Sequence, residues 1–250
     1  MLSRLKSSFS RLTDKGTRRR KQNRLSSEPV QALEDRALLA GNVLVSFSAS
    51  GNLTLKGDNF NNAVRVDPVP GGIRVTGLPD VNGAPTTVGN GQPVAVFAGD
   101  QFARGNLKVQ MKGGNDAFIS TLTVDKNVNI NMGSGSDVVG IANSLVGKNL
   151  KLNMGSAGTV LADTVEVLNI GVGGNASIKG GNGSHNVQIT NSFVNKKLNV
   201  NLGGGNDILD INGGGAPKFS FNGGSGTDSF FLSPDGGGSV PSKGFEFFGV

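Results

Sequence analysis

The sequence contains no cysteine, no tryptophan and no tyrosine, and it has a single histidine. Without cysteine the chain can form neither disulfides nor thiolate metal sites. The absence of cysteine does not indicate whether the protein resides in an oxidising or a reducing compartment. Phenylalanine is the only aromatic residue, so the tyrosine and tryptophan platforms on which bases and sugars stack are missing. No apolar run approaches the roughly 18 residues of a membrane-spanning helix. These absences argue against disulfide-stapled domains, helix-anchored membrane proteins and base-stacking modules.

The formal net charge of +6 comes from one end of the chain. Residues 1–40 hold ten Lys or Arg against four Asp or Glu, whereas residues 41–250 hold fourteen of each kind. A domain that binds nucleic acid is expected to carry its basic residues on the folded body. The neutral body therefore predicts that nucleic acid is not a partner.

Glycine is abundant, with 40 residues in 250, and the body of the chain is repetitive. Before each glycine-rich turn, apolar and polar residues alternate in all seven copies, which predicts a half-buried strand. From the second copy onward, the residues that close the turns are 21, 22, 26, 22 and 21 positions apart. We take these turn residues to be Asn62, Asp116, Asp137, Thr159, His185, Asp207 and Asp228.

Stacking of these copies predicts an all-β fold, a parallel β-solenoid with one coil of 21 or 22 residues per repeat. Three extended pieces per coil favour a triangular, right-handed β-helix over residues 106–250, with Phe245, Phe247 and Phe248 covering its last coil. Residues 42–105, punctuated by Pro and Gly, are expected to form an irregular β cap. Asparagines ten positions before the turn residues should hydrogen-bond along the coil axis: Asn52, Asn106, Asn127, Asn149 and Asn175.

Residues 1–41 form a basic leader. Its first part, residues 2–12, has near-helical apolar spacing and could contact an anionic membrane surface as a short amphipathic helix. An arginine-rich block, "TRRRKQNR", follows, and residues 37–47 are mostly apolar and lead into small residues. A basic region, a short apolar region and a small-residue cleavage site are the parts of an export signal.

The segment "LEDRALL", Leu33 to Leu39, resembles the LEPR-XLL segment found near the N-termini of bacterial surface and secreted repeat proteins. Asp35 stands where that family has proline. The resemblance covers a small part of the chain and implies export, with no particular chemistry. An ordinary amphipathic helix that caps the body is the alternative interpretation.

The segment "GGSGTDSFF", Gly223 to Phe231, is similar to the calcium-binding nonapeptide of the RTX β-roll family. The resemblance implies that calcium is held by turn carbonyls and by carboxylates at Asp116, Asp137, Asp207 and Asp228. RTX motifs recur every nine residues, whereas these recur every 21 or 22, and Thr159 and His185 interrupt the column. The alternative is that Asn and Asp form Asx turns beside glycines of positive φ.

Enzyme chemistry has few candidate residues. A Ser-His-Asp site would need His185, which occupies a turn of the repeat. Polysaccharide hydrolysis needs paired carboxylates, but the chain has only four glutamates, and we expect no repeat strand to place an Asp on its outward face. The sequence therefore predicts that the protein is not an enzyme, with a polysaccharide-active β-helix as the distant alternative.

The outward positions of the regular strand carry Lys, Asn, Ser, Thr and Gln and never Asp or Glu. Stacked coils would bring Lys56, Lys108, Lys151 and Lys179 onto one face. This face is either a solvated wall or a surface that docks on an acidic envelope polymer such as a polysaccharide. The sequence thus predicts a secreted or cell-envelope β-solenoid with a structural or adhesive role; a calcium-binding RTX-like module is the alternative.

Deletion of residues 1–41 is expected to leave the protein in the cytoplasm, because the leader holds the whole net charge and the LEPR-XLL-like segment. Cell fractionation with N-terminal sequencing of the native protein measures delivery and cleavage together. Unchanged delivery of the shortened chain to the envelope would contradict the export prediction.

Overall fold

A computed structural model describes residues 41–100, 103–158, 161–233, 242–244 and 247–249. Residues 1–40 of the predicted leader (residues 1–41), Thr159 and Phe245 lie outside the described residues. The described chain is all-β, as the sequence predicts, and forms a parallel β-solenoid of about six coils, each near 22 residues long, after a mixed β region. Among the described residues, no helix is long and apolar enough to cross a membrane.

The N-terminal region is a mixed β structure, in agreement with the predicted irregular cap. Strands in it pair in both directions: the first pairs antiparallel with the second and parallel with the fifth, and the fourth pairs antiparallel with the third and the sixth. These strands are β1 (Gly41–Phe47), β2 (Leu53–Lys56), β3 (Ala63–Val69), β4 (Gly72–Gly77), β5 (Thr86–Val88) and β6 (Val94–Ala98).

The strands that follow pair with one another in parallel. They are β7 (Leu107–Gly113), β8 (Ala117–Ser120), β9 (Val128–Gly135), β10 (Val138–Ala142), β11 (Leu145–Val146), β12 (Leu150–Asn153), β13 (Ser156–Ala157), β14 (Asp163–Leu168), β15 (Gly171–Val172), β16 (Ala176–Lys179), β17 (His185–Val194), β18 (Lys197–Gly204), β19 (Ile208–Gly215), β20 (Lys218–Ser225), β21 (Ser229–Leu232), β22 (Ser242–Lys243) and β23 (Phe247–Gly249).

Two long sheets and a short third side make up each coil. The first sheet stacks β2, β7, β9, β12, β16, β18, β20 and β22 in that order. The second sheet stacks β3, β8, β10, β14, β17, β19, β21 and β23. The third side consists of the two-residue strands β11 and β15, the end of β17 and single bridges such as Ala103 to Val124. The three predicted extended pieces per coil are therefore present, and the predicted right-handedness stays a prediction.

The core lies between the three sides and is built from columns of equivalent residues. One column of the first sheet pairs Leu55, Val109, Ile130, Leu152, Ile178, Val200 and Phe221 in register, all at most 2% exposed. The opposite column, on the second sheet, consists of Val64, Phe118, Val139, Val165, Val187, Leu209 and Phe230. At the far end, the backbone of β23 pairs with β21, so Phe247 and Phe248 extend the second sheet over the last coil.

The predicted asparagine column is confirmed at the corner that precedes the first sheet. The side-chain oxygen of each of the first four asparagines accepts hydrogen bonds from the backbone N–H and the side-chain amide of the next asparagine in the stack. For Asn127, the oxygen lies 3.3 Å from the backbone nitrogen of Asn149 and 3.1 Å from its Nδ2. Equivalent bonds join Asn52, Asn106, Asn127, Asn149 and Asn175.

A second corner, after the second sheet, also stacks asparagines, and the repeat alignment did not identify it. Asn143, Asn169 and Asn191 have φ of 50°, 54° and 46°, in the left-handed region that asparagine tolerates better than most residues. Asn169 Nδ2 donates to Asn143 Oδ1 at 2.8 Å. Gly213, with φ of 70°, takes the next place in this column. The left-handed residue turns the chain from the second sheet to the third side.

The repeat alignment was wrong at one turn. Asp163, four residues after Thr159, closes the turn of that coil, since β10 and β14 pair Val138 with Thr164 and β14 and β17 pair Asp163 with His185. The strand before this turn keeps its predicted register, with Leu150 paired to Val128. The coil therefore contains a four-residue insertion between β12 and β14, and the turn, rather than the strand, absorbs the added length.

Replacement of Asn127 by alanine is expected to destabilise the protein by about 1–2 kcal/mol, because three side-chain hydrogen bonds of the corner are lost. Thermal unfolding of the full chain measures the change. Asn129→Ala, two residues further on and without a side-chain hydrogen bond in the described part of the chain, is the matched control and should change stability by at most about 0.5 kcal/mol. Equal effects of both variants would show that the asparagine column does not stabilise the fold.

Candidate functional site

The first candidate site is the column of residues that close the turns between the two sheets. Their side chains are directed inward and are at most 1% exposed. At each aspartate of the column, the side-chain Oδ1 accepts the backbone N–H of the equivalent residue one coil earlier. The nitrogen to Oδ1 distances are 2.7 Å for Asn62 to Asp116, 2.8 Å for Asp116 to Asp137, 2.8 Å for Asp137 to Asp163, 2.7 Å for His185 to Asp207 and 2.8 Å for Asp207 to Asp228.

These contacts correct the predicted Asx turns. An Asx turn joins a side chain to its own backbone two residues on, whereas these carboxylates bind the neighbouring coil. Their function is to satisfy a buried backbone N–H group that the turn removes from the sheet ladder. The sequence motif is the same for both geometries, so the spacing of glycine and aspartate could not distinguish them.

Calcium binding at Asp116, Asp137, Asp207 and Asp228 stays a prediction, and the geometry restricts how it could occur. One oxygen of Asp137, for example, is already bonded to the Asp116 backbone. Within the described residues, no group of three or more His, Asp or Glu side chains is arranged to hold a metal ion. The column also contains Asp163 in place of the predicted Thr159, so His185 alone separates its five aspartates, three before it and two after it.

The carboxyls of Asp116 and Asp137 titrate far from their ordinary value. Burial raises the pKa of both from 3.8 to about 7, because the charged form loses its hydration. The neighbouring carboxylates Asp116 and Asp163 raise the pKa of Asp137 further. The Oδ2 atoms of Asp116 and Asp137 are buried and have no hydrogen-bond partner, which accords with a carboxyl that is costly to ionise.

His185 lies in the column between two carboxylates and is 1% exposed. Its Nδ1 is 3.0 Å from Asp207 Oδ1 and its Nε2 is 3.4 Å from Asp163 Oδ2. Burial alone would lower the pKa of His185, but Asp163 and Asp207 outweigh it and raise the pKa from 6.5 to about 9. The neutral ring can accept the Gly181 N–H at Nε2, 3.2 Å away, whereas the imidazolium donates to Asp163 instead. The pKa favours the imidazolium at neutral pH.

The chain makes room for the histidine ring by a compensating glycine. Five residues before Asp116, Asp137 and Asp207, the repeat has buried Met111, Met132 and Leu202. The equivalent position before His185 is Gly180, and a Cβ there would lie 2.7 Å from His185 Cε1. The absence of a side chain at Gly180 thus leaves space for the His185 ring. Glycine also occupies this position before Asn62 and Asp228, at Gly57 and Gly223, so the sequence alone does not identify the space as one for a histidine ring.

The second candidate site is the outer surface of the first sheet, which we call the lysine face. All four predicted lysines are exposed and lie on it: Lys56, Lys108, Lys151 and Lys179. Within the described part of the chain, none of them forms an ion pair. In register, one outward column reads Thr54, Lys108, Asn129, Lys151, Ser177, Asn199, Ser220 and the other Lys56, Gln110, Asn131, Asn153, Lys179, Asn201, Asn222.

The lysine face contains a shallow depression of about 250 Å³. Asn129 lies at its centre, one coil from Lys108 on one side and one coil from Lys151 on the other. The depression forms there because the asparagine side chain is shorter than the two lysine side chains. Beside it, Asn153 Nδ2 donates to Asn131 Oδ1 at 2.8 Å, which fixes the orientation of those amides. The depression is therefore polar, with two cations at its ends. It is lined by Lys108, Val109, Gln110, Asn129, Asn131, Lys151 and Asn153.

The outer surface of the second sheet corrects the expectation that no strand places an Asp outward. Asp210 of β19 alternates with the buried Leu209 and Ile211, and the register aligns it with Gln188 and Glu166. Asp210 and Glu166 are thus two coils apart, about 10 Å at the spacing of paired strands. Gln188 separates the two carboxylates, and they lie on the opposite sheet from the lysine face.

Comparison with known proteins adds no relative: no family model, no curated protein and no solved structure matches the chain.

The thermal stability of the full chain is expected to fall as the pH rises from 5 to 9. The folded protein holds protons on Asp116 and Asp137 up to about pH 7 and on His185 up to about pH 9, whereas the unfolded chain releases them near 3.8 and 6.5. Because these pKa values are raised, their contribution is complete at low pH and is lost as the pH passes through the folded values. The melting temperature should fall by roughly 5–10 °C.

Asp137→Asn removes one of these groups and should flatten the part of the profile around pH 7. Asp125→Asn, at an exposed carboxylate outside the column, is the control and should leave the profile unchanged. A wild-type melting temperature that rises over this interval would contradict the raised pKa values.

Proposed function

We propose that the protein is an exported, non-enzymatic β-solenoid with a structural or adhesive role at the cell envelope or outside the cell. The observation that carries the proposal is the lysine face, a flat surface with cations and amides but no acid in any of the described copies. Such a surface attracts anionic polymers and repels other cationic surfaces. We propose an acidic envelope or extracellular polysaccharide as its partner.

Export is supported by the basic leader and by its LEPR-XLL-like segment, Leu33 to Leu39. The parallel solenoid supports a structural role, because each coil is bonded to both neighbours along its length. The absence of an enzymatic role is supported by the placement of His185, the only histidine, inside the column of turn residues, where it is 1% exposed. Calcium binding by the RTX-like turns is the weaker proposal, since one oxygen of the turn carboxylates is bonded to backbone.

The composition of the lysine face favours a polysaccharide over other polyanions. Neither of its two outward columns contains an aromatic or aliphatic side chain. A membrane-binding surface would insert such side chains into the bilayer, and a single-strand nucleic-acid surface would stack bases on them. Amides and amino groups instead suit the hydroxyls and carboxylates of acidic sugars.

The full-length protein should be retained on an immobilised acidic polysaccharide at low salt and released as the salt rises, because exposed charges are screened within about 8 Å at physiological ionic strength. The double variant Lys108→Gln plus Lys151→Gln should elute at clearly lower salt. Retention is measured by a salt gradient on the polysaccharide column, with a neutral polysaccharide column as reference.

The matched control is Lys126→Gln plus Lys148→Gln. These lysines are exposed and lie in successive coils at the corner before the first sheet, where the backbone nitrogen of Lys148 donates to the carbonyl oxygen of Lys126. The control variant therefore loses the same charge as the test variant, but outside the two outward columns. The control variant should elute close to the wild type. Failure of the wild type to bind any acidic polysaccharide at low salt would overturn the proposed partner.

A further inference from the structure

The depression on the lysine face has a lysine on either side of one asparagine. Lys108 and Lys151 lie in one outward column with only Asn129 between them, so their Cα atoms are about 10 Å apart. Lysine side chains are long and flexible enough to bring both ammonium groups over the intervening asparagine. The depression between them has a volume of about 250 Å³ and is open to solvent.

The donors in this depression are not used by the protein itself. Within the described residues, the Asn129 amide makes no side-chain hydrogen bond, and neither Lys108 nor Lys151 forms an ion pair. By contrast, Asn131 and Asn153 in the adjacent column are bonded to each other. Two ammonium groups and one amide N–H can therefore reach a ligand in the depression, and within the described residues no acceptor of the chain competes for them. A carboxylate accepts hydrogen bonds from all three.

The columns also indicate the direction of a bound chain. Equivalent residues repeat every coil, about 4.8 Å apart along the solenoid axis. An extended pyranose chain advances per sugar by a distance close to this coil spacing. A glycan that runs along the axis therefore meets one outward pair of side chains per sugar. A glycan that runs along a strand such as β12 would instead contact a strand of only four residues.

We propose that the depression formed by Lys108, Asn129 and Lys151 binds one carboxylate of a polyuronate chain that lies along the solenoid axis, one sugar per coil. This inference rests on the proposed function and specifies its ligand: the acid is a sugar carboxylate, and the side chains of the neighbouring coils bond to the hydroxyls of adjoining sugars. Lys56 of β2 and Lys179 of β16 take part in this way, one coil from the depression on either side.

Asn129→Asp tests the depression directly, because it replaces the central amide by a carboxylate of the same shape. The affinity of the full-length protein for oligogalacturonate of defined length is measured by calorimetry at low salt, with the carboxyl-reduced oligosaccharide as a neutral probe. The variant should bind at least about tenfold more weakly, since a like charge now faces the ligand carboxylate. Melting curves of each variant verify that it is folded.

Asn199→Asp is the matched control, since it makes the same change in the same outward column, where the neighbours are Ser177 and Ser220 in place of lysines. Its affinity for an oligogalacturonate of three sugars should stay within about twofold of the wild type, because a trisaccharide seated at Asn129 with one sugar per coil does not extend to Asn199, three coils away. Affinity should also rise with oligosaccharide length up to about the six coils of the solenoid.

Four results overturn the proposal in distinguishable ways. Equal weakening by Asn129→Asp and Asn199→Asp would mean that the whole face attracts polyuronate without a discrete site, which leaves the proposed function standing. A length dependence that ends at two or three sugars would place the glycan along the strands. If oligogalacturonate does not bind but another acidic polysaccharide is retained, the uronate ligand is excluded and the proposed function stands. If no acidic polysaccharide is retained, the partner in the proposed function is excluded as well.

Discussion

Parallel stacking places each side chain directly beside its counterpart in the next coil, and the rest of the structure depends on this constraint. At about 4.8 Å between strands, a buried polar group has its own equivalent as nearest neighbour. A residue type is acceptable only if it can bond or pack against copies of itself. Asparagine meets this condition with one oxygen and one N–H₂ group, and the corner from Asn52 to Asn175 repeats the bond at every coil.

Aspartate meets the same condition less completely. Its carboxylate accepts the backbone N–H of the preceding coil but has no proton of its own to pass on, so charges accumulate along the column. Before the four-residue insertion between β12 and β14, protonation of Asp116 and Asp137 relieves this repulsion, as their raised pKa values indicate. The imidazolium of His185 relieves it on the other side by lying between Asp163 and Asp207. The histidine is thus a charge partner in a structural column, and Gly180 provides the space for it.

On the outer surface the same stacking has the opposite consequence. Lys108 and Lys151 repeat without a compensating acid, and no charge of the chain neutralises them within the described residues. Inside the protein such an arrangement would be expensive, but on a solvated sheet it costs little and leaves a regular array of donors. The interior columns therefore define the fold, and the exterior columns are available for a partner whose own repeat matches the coil.

The sequence by itself determined the fold class, the strand register of the first sheet and the members of the lysine face, because alternation of apolar and polar residues with a near-constant period specifies which side of a strand each residue occupies. It also predicted the asparagine corner, since amides are self-complementary when stacked. Only the tertiary structure decided that Asp163 rather than Thr159 closes its turn, because a turn accepts inserted residues that a strand cannot. It likewise decided that the turn carboxylates bind backbone of the neighbouring coil, and that Asp210 faces outward with Glu166, since these relations join residues of different coils.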